Sequence, residues 1–192
     1  MRWLRALRWP PRSLGLRTPI FAALRAGQPL GSLWNTIWQS IAAGLCVAGA
    51  MVLLDVLLFA GASLPRIRSL AEEPFGYRLA IVIYSPLAEE LIYRFIVMAL
   101  LAWCVNVPLA RAYPKSMPLA MWCGILGAAT LFGLAHVGNV PDAPHPFLRA
   151  ITLNGLAGTV FGWLYWKRGF EAAVLAHFAA DALIYLGLAN VL

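Results

Sequence analysis

The chain has 192 residues, of which 61% are hydrophobic and only 12% are charged. A soluble domain contains about 45–50% apolar and about 25% charged residues, so this composition excludes an ordinary soluble protein and predicts a polytopic membrane protein. The net charge of +7 would suggest a nucleic-acid partner in a soluble protein. In a membrane protein it is explained by topology, so no nucleic-acid partner is predicted.

The first 33 residues are predicted to be a basic amphipathic segment. Trp3, Leu4, Leu7 and Trp9 alternate with arginines, a pattern typical of segments that lie in the plane of an anionic membrane surface. A secretory signal peptide is excluded because no clean apolar core and small-residue cleavage site follow the first arginines. A disordered basic tail is the alternative. The arginines are Arg2, Arg5, Arg8, Arg12, Arg17 and Arg25.

Residues 34–192 are predicted to form one transmembrane domain. Five apolar runs are each near the ~20 residues that a spanning helix needs. The predicted fold class is therefore all-α, a polytopic bundle of about five spans. Pro86 in the second run predicts a kink. The runs are Thr36–Ala62, Gly76–Val107, Pro118–Val137, Phe147–Trp166 and Phe170–Leu188.

Basic residues are divided unequally between the two ends of these spans. With the N-terminus inside, ten lysines and arginines lie on the inner side and four, Arg66, Arg68, Arg78 and Arg149, on the outer side. Since positive residues concentrate on the cytoplasmic side, the N-terminus is predicted to be cytoplasmic. The expected setting is a bacterial inner membrane.

The second run carries three charged residues, Glu89, Glu90 and Arg94. Each such group costs about 2.5–3.5 kcal/mol at the bilayer centre on insertion scales, so their presence indicates a function. Glu90 and Arg94 are four residues apart, share a helix face and can pair. One arginine cannot neutralise two carboxylates, so Glu89 is a candidate general acid or base. A purely structural Glu–Arg bridge is the alternative.

Two later runs each contribute a histidine. His136 lies near the outer end of the third run, and His177 lies in the fifth run with Asp181 four residues later. Asp181 shares a helix face with His177, so it can orient the imidazole or accept its proton. A histidine at a helix end is often only an interfacial residue, so the prediction rests on the three clusters together.

In order along the chain, the motifs Glu-Glu-x-x-x-Arg, Phe-x-x-x-His and His-x-x-x-Asp resemble those of the CPBP family of intramembrane proteases. That family includes the CAAX-processing endoprotease and bacteriocin-immunity relatives. The stretch 155–165, with Arg168-Gly169 and then His177, is also similar to the family's closing pair of helices. The resemblance covers about residues 75–190 and implies a glutamic-type intramembrane peptidase.

The resemblance also implies roles for individual residues. Glu89 with His136 would activate the attacking water, and His177 with Asp181 would hold the oxyanion. Many family members have Asn where this chain has Asp181, and an ionised Asp would repel an oxyanion. Asp181 must therefore be protonated, be paired with a protonated His177, or have another role. The supporting residues implied are Glu90 and Arg94.

Other functions use similar residues. Glu89, His136, His177 and Asp181 have the ligand chemistry of a zinc site, although no His-Glu-x-x-His pair is present and each helix supplies few ligands. The expected cofactor is therefore none, with zinc as the alternative. A non-catalytic immunity or scaffold protein and a proton-coupled carrier are further alternatives. The expected partners are the lipid bilayer and a membrane-anchored protein or peptide substrate, while the sequence leaves the oligomeric state open.

Helix packing has to bring these residues together. Straight helices perpendicular to the membrane would leave His177 too far from Glu89 and His136, at about 1.5 Å of rise per residue. We therefore expect either that the turn at residues 167–170 dips into the bilayer or that the second helix tilts strongly. Small residues in the third and fourth runs predict close helix contact. They are Gly124, Gly127, Gly133, Gly155, Ala157, Gly158 and Gly162.

Overall fold

The computed structural model describes residues 14–113 and 116–191, and every regular element assigned in them is a helix. The predicted all-α fold is confirmed. Five helices are long and apolar enough to cross a membrane, and each begins and ends within three residues of a predicted run. We call them the first to fifth spans. They are Trp34–Phe59, Phe75–Ala110, Met117–Asn139, Pro146–Arg168 and Phe170–Asn190.

The described part of the N-terminal segment packs against the turn between the fourth and fifth spans. Phe21, in the short helix Pro19–Arg25, donates its N–H to Glu171 Oε1 at 2.8 Å. Gly169 has a φ of +110°, and a Cβ atom there would collide with Pro19, so this turn requires glycine. The predicted amphipathic residues 1–13, which include four of the six arginines, lie outside the described residues.

The second span changes helix type along its length. It is α-helical over Phe75–Glu90, π-helical over Leu91–Met98 and α-helical again over Ala99–Ala112. Pro86 lies within the first α-helical part, five residues before the π-helical part begins at Leu91, and the kink expected at the proline stays a prediction. π-Helical turns are rare and are frequently found at functional sites. The fifth span changes in the same way, from α-helix at Phe170–Asp181 to π-helix at Ala182–Gly187.

Shorter helices fill the connections. A 3₁₀ turn precedes the first span, and a short α-helix with a 3₁₀ turn joins the first span to the second. Two further 3₁₀ turns follow the third span's α-helix and end the fifth span. In chain order these segments are Leu30–Leu33, Leu64–Ser69, Leu70–Glu72, Val137–Asn139 and Leu188–Asn190.

Glycines in the third and fourth spans allow the close contact that their sequence predicts. A Cβ atom at Gly158 would lie 2.9 Å from the Cα of Ala129, and one at Gly133 would lie 2.8 Å from the Cα of Ile151. Real Cβ atoms essentially never approach another atom so closely. These two spans therefore pack with their backbones nearly touching, as small residues permit in membrane bundles.

The turn between the fourth and fifth spans lies far from the end of the second span. The rings of Phe170 and Phe95 are 5.9 Å apart. Phe95 precedes the end of the second span at Ala110 by 15 residues, which corresponds to about 22 Å of helix. The turn is thus recessed relative to the second span, and His177 reaches the level of Glu89. The dip of the turn into the bilayer and the strong tilt of the second helix both stay predictions.

Two arginines counted as outer charges are buried in structural contacts. Arg149 Nε lies 2.6 Å from Asp55 Oδ1, and Asp55 Oδ2 accepts hydrogen bonds from the N–H and the hydroxyl of Ser63 at 2.8 and 2.6 Å. Arg78 donates to the carbonyl of Tyr185 at 3.2 Å and to Asn190 Oδ1 at 3.0 Å. Both side chains link one span to another through these contacts. Counting arginines in the sequence therefore overstates the free positive charge on the predicted outer side.

Replacement of Gly44 by Ala is expected to destabilise the bundle. A Cβ atom at Gly44 in the first span would overlap the carbonyl of Ala176 in the fifth span, next to His177. Overpacking of this kind costs about 1–3 kcal/mol, so the melting temperature measured in detergent should fall. The matched control is Gly49→Ala in the same helix, where nothing lies within 4 Å of the added atom. Equal melting temperatures for the two variants would contradict the close packing of these spans.

Candidate active site

Side chains from three spans converge on one cavity. Glu89 Oε2 lies 3.8 Å from His136 Nε2 and 3.7 Å from His177 Nε2. These distances are too long for direct hydrogen bonds, and they suit groups that hold a small third species between them. Glu89, His136, His177 and Asp181 all line a cavity of about 290 Å³. The structure therefore brings together the four residues that the sequence singled out.

His136 presents its outer ring nitrogen to Glu89. Its Nδ1 lies 2.7 Å from the carbonyl oxygen of Phe132, one turn earlier at the end of the third span. A carbonyl oxygen only accepts hydrogen bonds, so Nδ1 carries a proton. In the neutral ring, Nε2 then has a free lone pair directed at the cavity. The Phe132 ring, 4.5 Å from the imidazole between centroids, packs beside it.

His177 is held by Glu90 and not by Asp181. Its Nδ1 lies 2.9 Å from Glu90 Oε1, whereas its Nε2 is 3.8 Å from Asp181 Oδ1, beyond hydrogen-bonding distance. The imidazole also stacks on Phe161, with 4.9 Å between ring centroids. The expectation that Asp181 orients this ring is therefore corrected. The orienting carboxylate comes from the second span, 87 residues away in sequence.

Glu90 joins the histidine to a buried arginine. Arg94 Nε lies 3.1 Å from Glu90 Oε2, and both side chains have no exposed surface. The predicted pairing is confirmed, although the two groups are not aligned for a hydrogen bond. The guanidinium lies 4.8 Å from the Phe132 ring centroid, a favourable cation–π distance. One carboxylate thus contacts Arg94 through one oxygen and His177 through the other.

Glu89 differs from its neighbour because it faces the cavity. Its side chain is 26% exposed, while that of Glu90 is fully buried. Ser85, four residues earlier on the same helix face, donates its hydroxyl to Glu89 Oε1 at 2.8 Å. This bond leaves Oε2 directed at the two histidines. The i, i+4 spacing was the signal from which Ser85 could have been found.

The same cavity is lined by further polar residues, which were not predicted from the sequence to belong to the site. Ser63 and Arg66 come from the connection that follows the first span, and Asn139 ends the third span, so the cavity extends to that side of the bundle. Within the described residues, no three His, Cys, Asp or Glu side chains are grouped so as to hold a metal ion, and zinc has no preformed three-residue ligand set there. The additional polar residues are Ser63, Arg66, Asn139, Arg149, Asn154 and Tyr185.

The chain matches the model of a known protein family. A family model described as "Type II CAAX prenyl endopeptidase Rce1-like" matches residues 71–183, which is more than half of the chain. The matched range contains Glu89, His136, His177 and Asp181. No curated protein and no solved structure matches the chain.

Proposed function

Because the chain belongs to the Rce1-like family of type II CAAX prenyl endopeptidases, an integral membrane protease family, we propose that it cleaves membrane-associated proteins or peptides by a glutamic mechanism. The observation that carries this proposal is the position of Glu89 Oε2, nearly equidistant from the Nε2 atoms of His136 and His177. A carboxylate between two imidazoles can help to take a proton from a water molecule. An imidazole N–H beside it can stabilise the negative charge that develops on the substrate carbonyl oxygen.

In the proposed reaction, Glu89 and His136 take a proton from water as its oxygen bonds to the scissile carbonyl carbon. The carbonyl π electrons move to its oxygen, and His177 Nε2–H donates a hydrogen bond to the oxyanion formed. When the intermediate collapses, the C–N bond breaks and the leaving nitrogen receives the proton held by Glu89 and His136. The immediate products are a carboxylic acid and an amine, which become a carboxylate and an ammonium ion when the proton of the acid passes to the amine, so atoms and charges balance.

The hydrogen bond between His177 and Glu90 defines the form in which His177 can act. When Nδ1–H donates its hydrogen bond to Glu90, Nε2 carries a second proton, and can donate a hydrogen bond, only if the ring is an imidazolium. Asp181 lies 3.8 Å from Nε2 and is then paired with the imidazolium. The positive charge of the ring offsets the repulsion between the Asp181 carboxylate and the oxyanion. This pairing offers a reason why Asp is compatible with the position. In this scheme, Glu90 and Arg94 are positioning residues.

Cleavage of a prenylated peptide that ends in a CAAX sequence tests the proposal. The protein in lipid nanodiscs should release a fragment whose mass identifies the bond cut, and His136→Ala should slow cleavage by about 10²–10⁴-fold, the usual contribution of acid–base catalysis. His145→Asn is the matched control, because His145 is exposed, lies outside the cavity and has a φ of 49° that Asn tolerates. Unchanged cleavage by the His136 variant would refute the mechanism. Loss of activity to a chelator, with recovery in zinc, would replace it with zinc-dependent hydrolysis.

We also propose a cytoplasmic N-terminus in a bacterial inner membrane. The burial of Arg78 and Arg149 in structural contacts supports it, because less free positive charge remains on the opposite side. The cavity would then open away from the cytoplasm. With the native cysteines replaced, an impermeant thiol reagent added to intact cells should label a cysteine at Asp142 and not one at Gln28. The reverse labelling pattern would invert the orientation.

A further inference from the structure

Arg66 is a cation on the cavity wall that has no acidic partner in the described part of the chain. Its Nη1 donates to the backbone carbonyl of Asn139 at 3.1 Å, and none of the ion pairs of the described residues includes it. Arg149 lines the same cavity but is neutralised by Asp55 at 2.6 Å. Among the described residues, Arg66 therefore brings to this cavity a guanidinium that no carboxylate of the protein contacts directly.

The cavity that holds Arg66 and Glu89 is small. Its volume of about 290 Å³ is near the lower end of the range of small-ligand pockets, about 300–1,000 Å³. Arg66 and Glu89 line this one cavity, so a group bound at Arg66 and a peptide bond held at Glu89 can belong to neighbouring parts of the same substrate.

The charge of the cavity defines the kind of group that Arg66 can bind. Glu89 and Asp181 supply negative charge to the wall, so an anionic substrate group needs a local cation to enter. A guanidinium binds a carboxylate through two parallel hydrogen bonds, a geometry that a point charge cannot provide. The phenol of Tyr185 lines the same cavity and offers another hydrogen-bond donor.

We propose that Arg66 is a specificity residue of this site, which binds the free C-terminal carboxylate of the substrate while the peptide bond to be cut lies at Glu89. This inference rests on the proposed function and adds a specificity residue to it. It agrees with a CAAX-type substrate, because that motif ends at the C-terminal residue. Internal peptide bonds far from a chain end would lack the group that Arg66 recognises.

A pair of peptides that differ only in their last group tests the inference. One prenylated CAAX peptide ends in a free carboxylate and the other in a carboxamide. The wild-type protein should cleave the acid roughly 10- to 100-fold faster in kcat/KM, the range expected for a charge-assisted hydrogen bond. Arg66→Gln should lose this preference by slowing cleavage of the acid alone, while Arg66→Lys should keep part of it. Arg68→Gln, an exposed neighbour outside the cavity, should retain the full preference.

Each outcome of this experiment decides a different point. Equal wild-type rates for acid and amide would overturn the inference and leave the proposed protease intact. An Arg66→Gln variant that slows both peptides equally would assign Arg66 a structural role and also overturn it. Failure of the wild type to cleave either peptide, or a membrane-anchored protein that carries the same C-terminus, would count against the proposed function and this inference together.

Discussion

Replacement of Glu89 by Gln is expected to reduce the rate of peptide cleavage by about 10²–10⁴-fold, because a carboxamide cannot take the proton from water. Gln has nearly the same shape, and its carbonyl oxygen can still accept the hydrogen bond from Ser85, which is 2.8 Å long in the wild type. The side chain is also partly exposed to the cavity, so the change removes no buried charge. Activity should therefore fall without a comparable loss of stability.

Cleavage of the CAAX peptide and thermal unfolding in the same nanodiscs should be measured together for this variant. The matched control is Glu73→Gln, which makes the same chemical change at an exposed position outside the cavity. It should leave both quantities at the wild-type value. Full activity of Glu89→Gln would remove Glu89 from the mechanism and would favour a function in which this carboxylate takes no proton.

Replacement of Glu90 by Leu is expected to cause the largest loss of stability. Arg94 has no exposed surface, so the change leaves a buried charge without its counter-ion, at a cost of about 3–5 kcal/mol. The double variant Glu90→Leu/Arg94→Met replaces the whole pair by apolar groups of similar volume. Because buried pairs contribute little net stability against such replacements, the double variant should recover most of the melting temperature.

Activity should not recover with stability in the double variant. His177 loses the carboxylate that holds its Nδ1–H at 2.9 Å, and loss of an orienting carboxylate beside a catalytic histidine can cost as much as about 10⁴-fold. The two measurements on both variants therefore separate two roles of Glu90. The melting temperature reports its contribution to the stability of the bundle, and the cleavage rate reports its contribution to the position of the His177 ring. If the double variant were fully active, Glu90 would be only a partner of Arg94. If Glu90→Leu alone were as stable as the wild type, the buried ion pair itself would be in question.

The spans were predictable because they depend on local composition. In hydrocarbon every backbone polar group needs an internal partner, so a run of about 20 apolar residues has little choice except a helix. The pairing of Glu90 with Arg94 was predictable for a similar reason, since residues four apart on a helix are always neighbours. The structure confirms both.

Spacing along one helix did not identify the carboxylate that orients His177. Asp181 follows His177 by four residues, and the sequence therefore nominated it to orient the ring. In the structure the carboxylate of Glu90 takes that place at 2.9 Å, while Asp181 stays at 3.8 Å. One π-helical turn, Leu91–Met98, directly follows Glu90, and another, Ala182–Gly187, directly follows Asp181. No pattern in the sequence predicted either turn.

By itself the sequence determined that this protein is a helical membrane bundle with acidic and histidine side chains on three of its spans, because hydropathy and residue chemistry act over a few neighbouring positions. Only the tertiary structure decided that Glu90 holds His177 and that Asp55 neutralises Arg149, 94 residues away in sequence. The tertiary structure also places Arg66 on the cavity wall, where no described acidic residue pairs with it. These contacts depend on the register in which glycine-lined helices pack. That register is set by the shapes of whole surfaces, which the spacing of residues along a single helix does not encode.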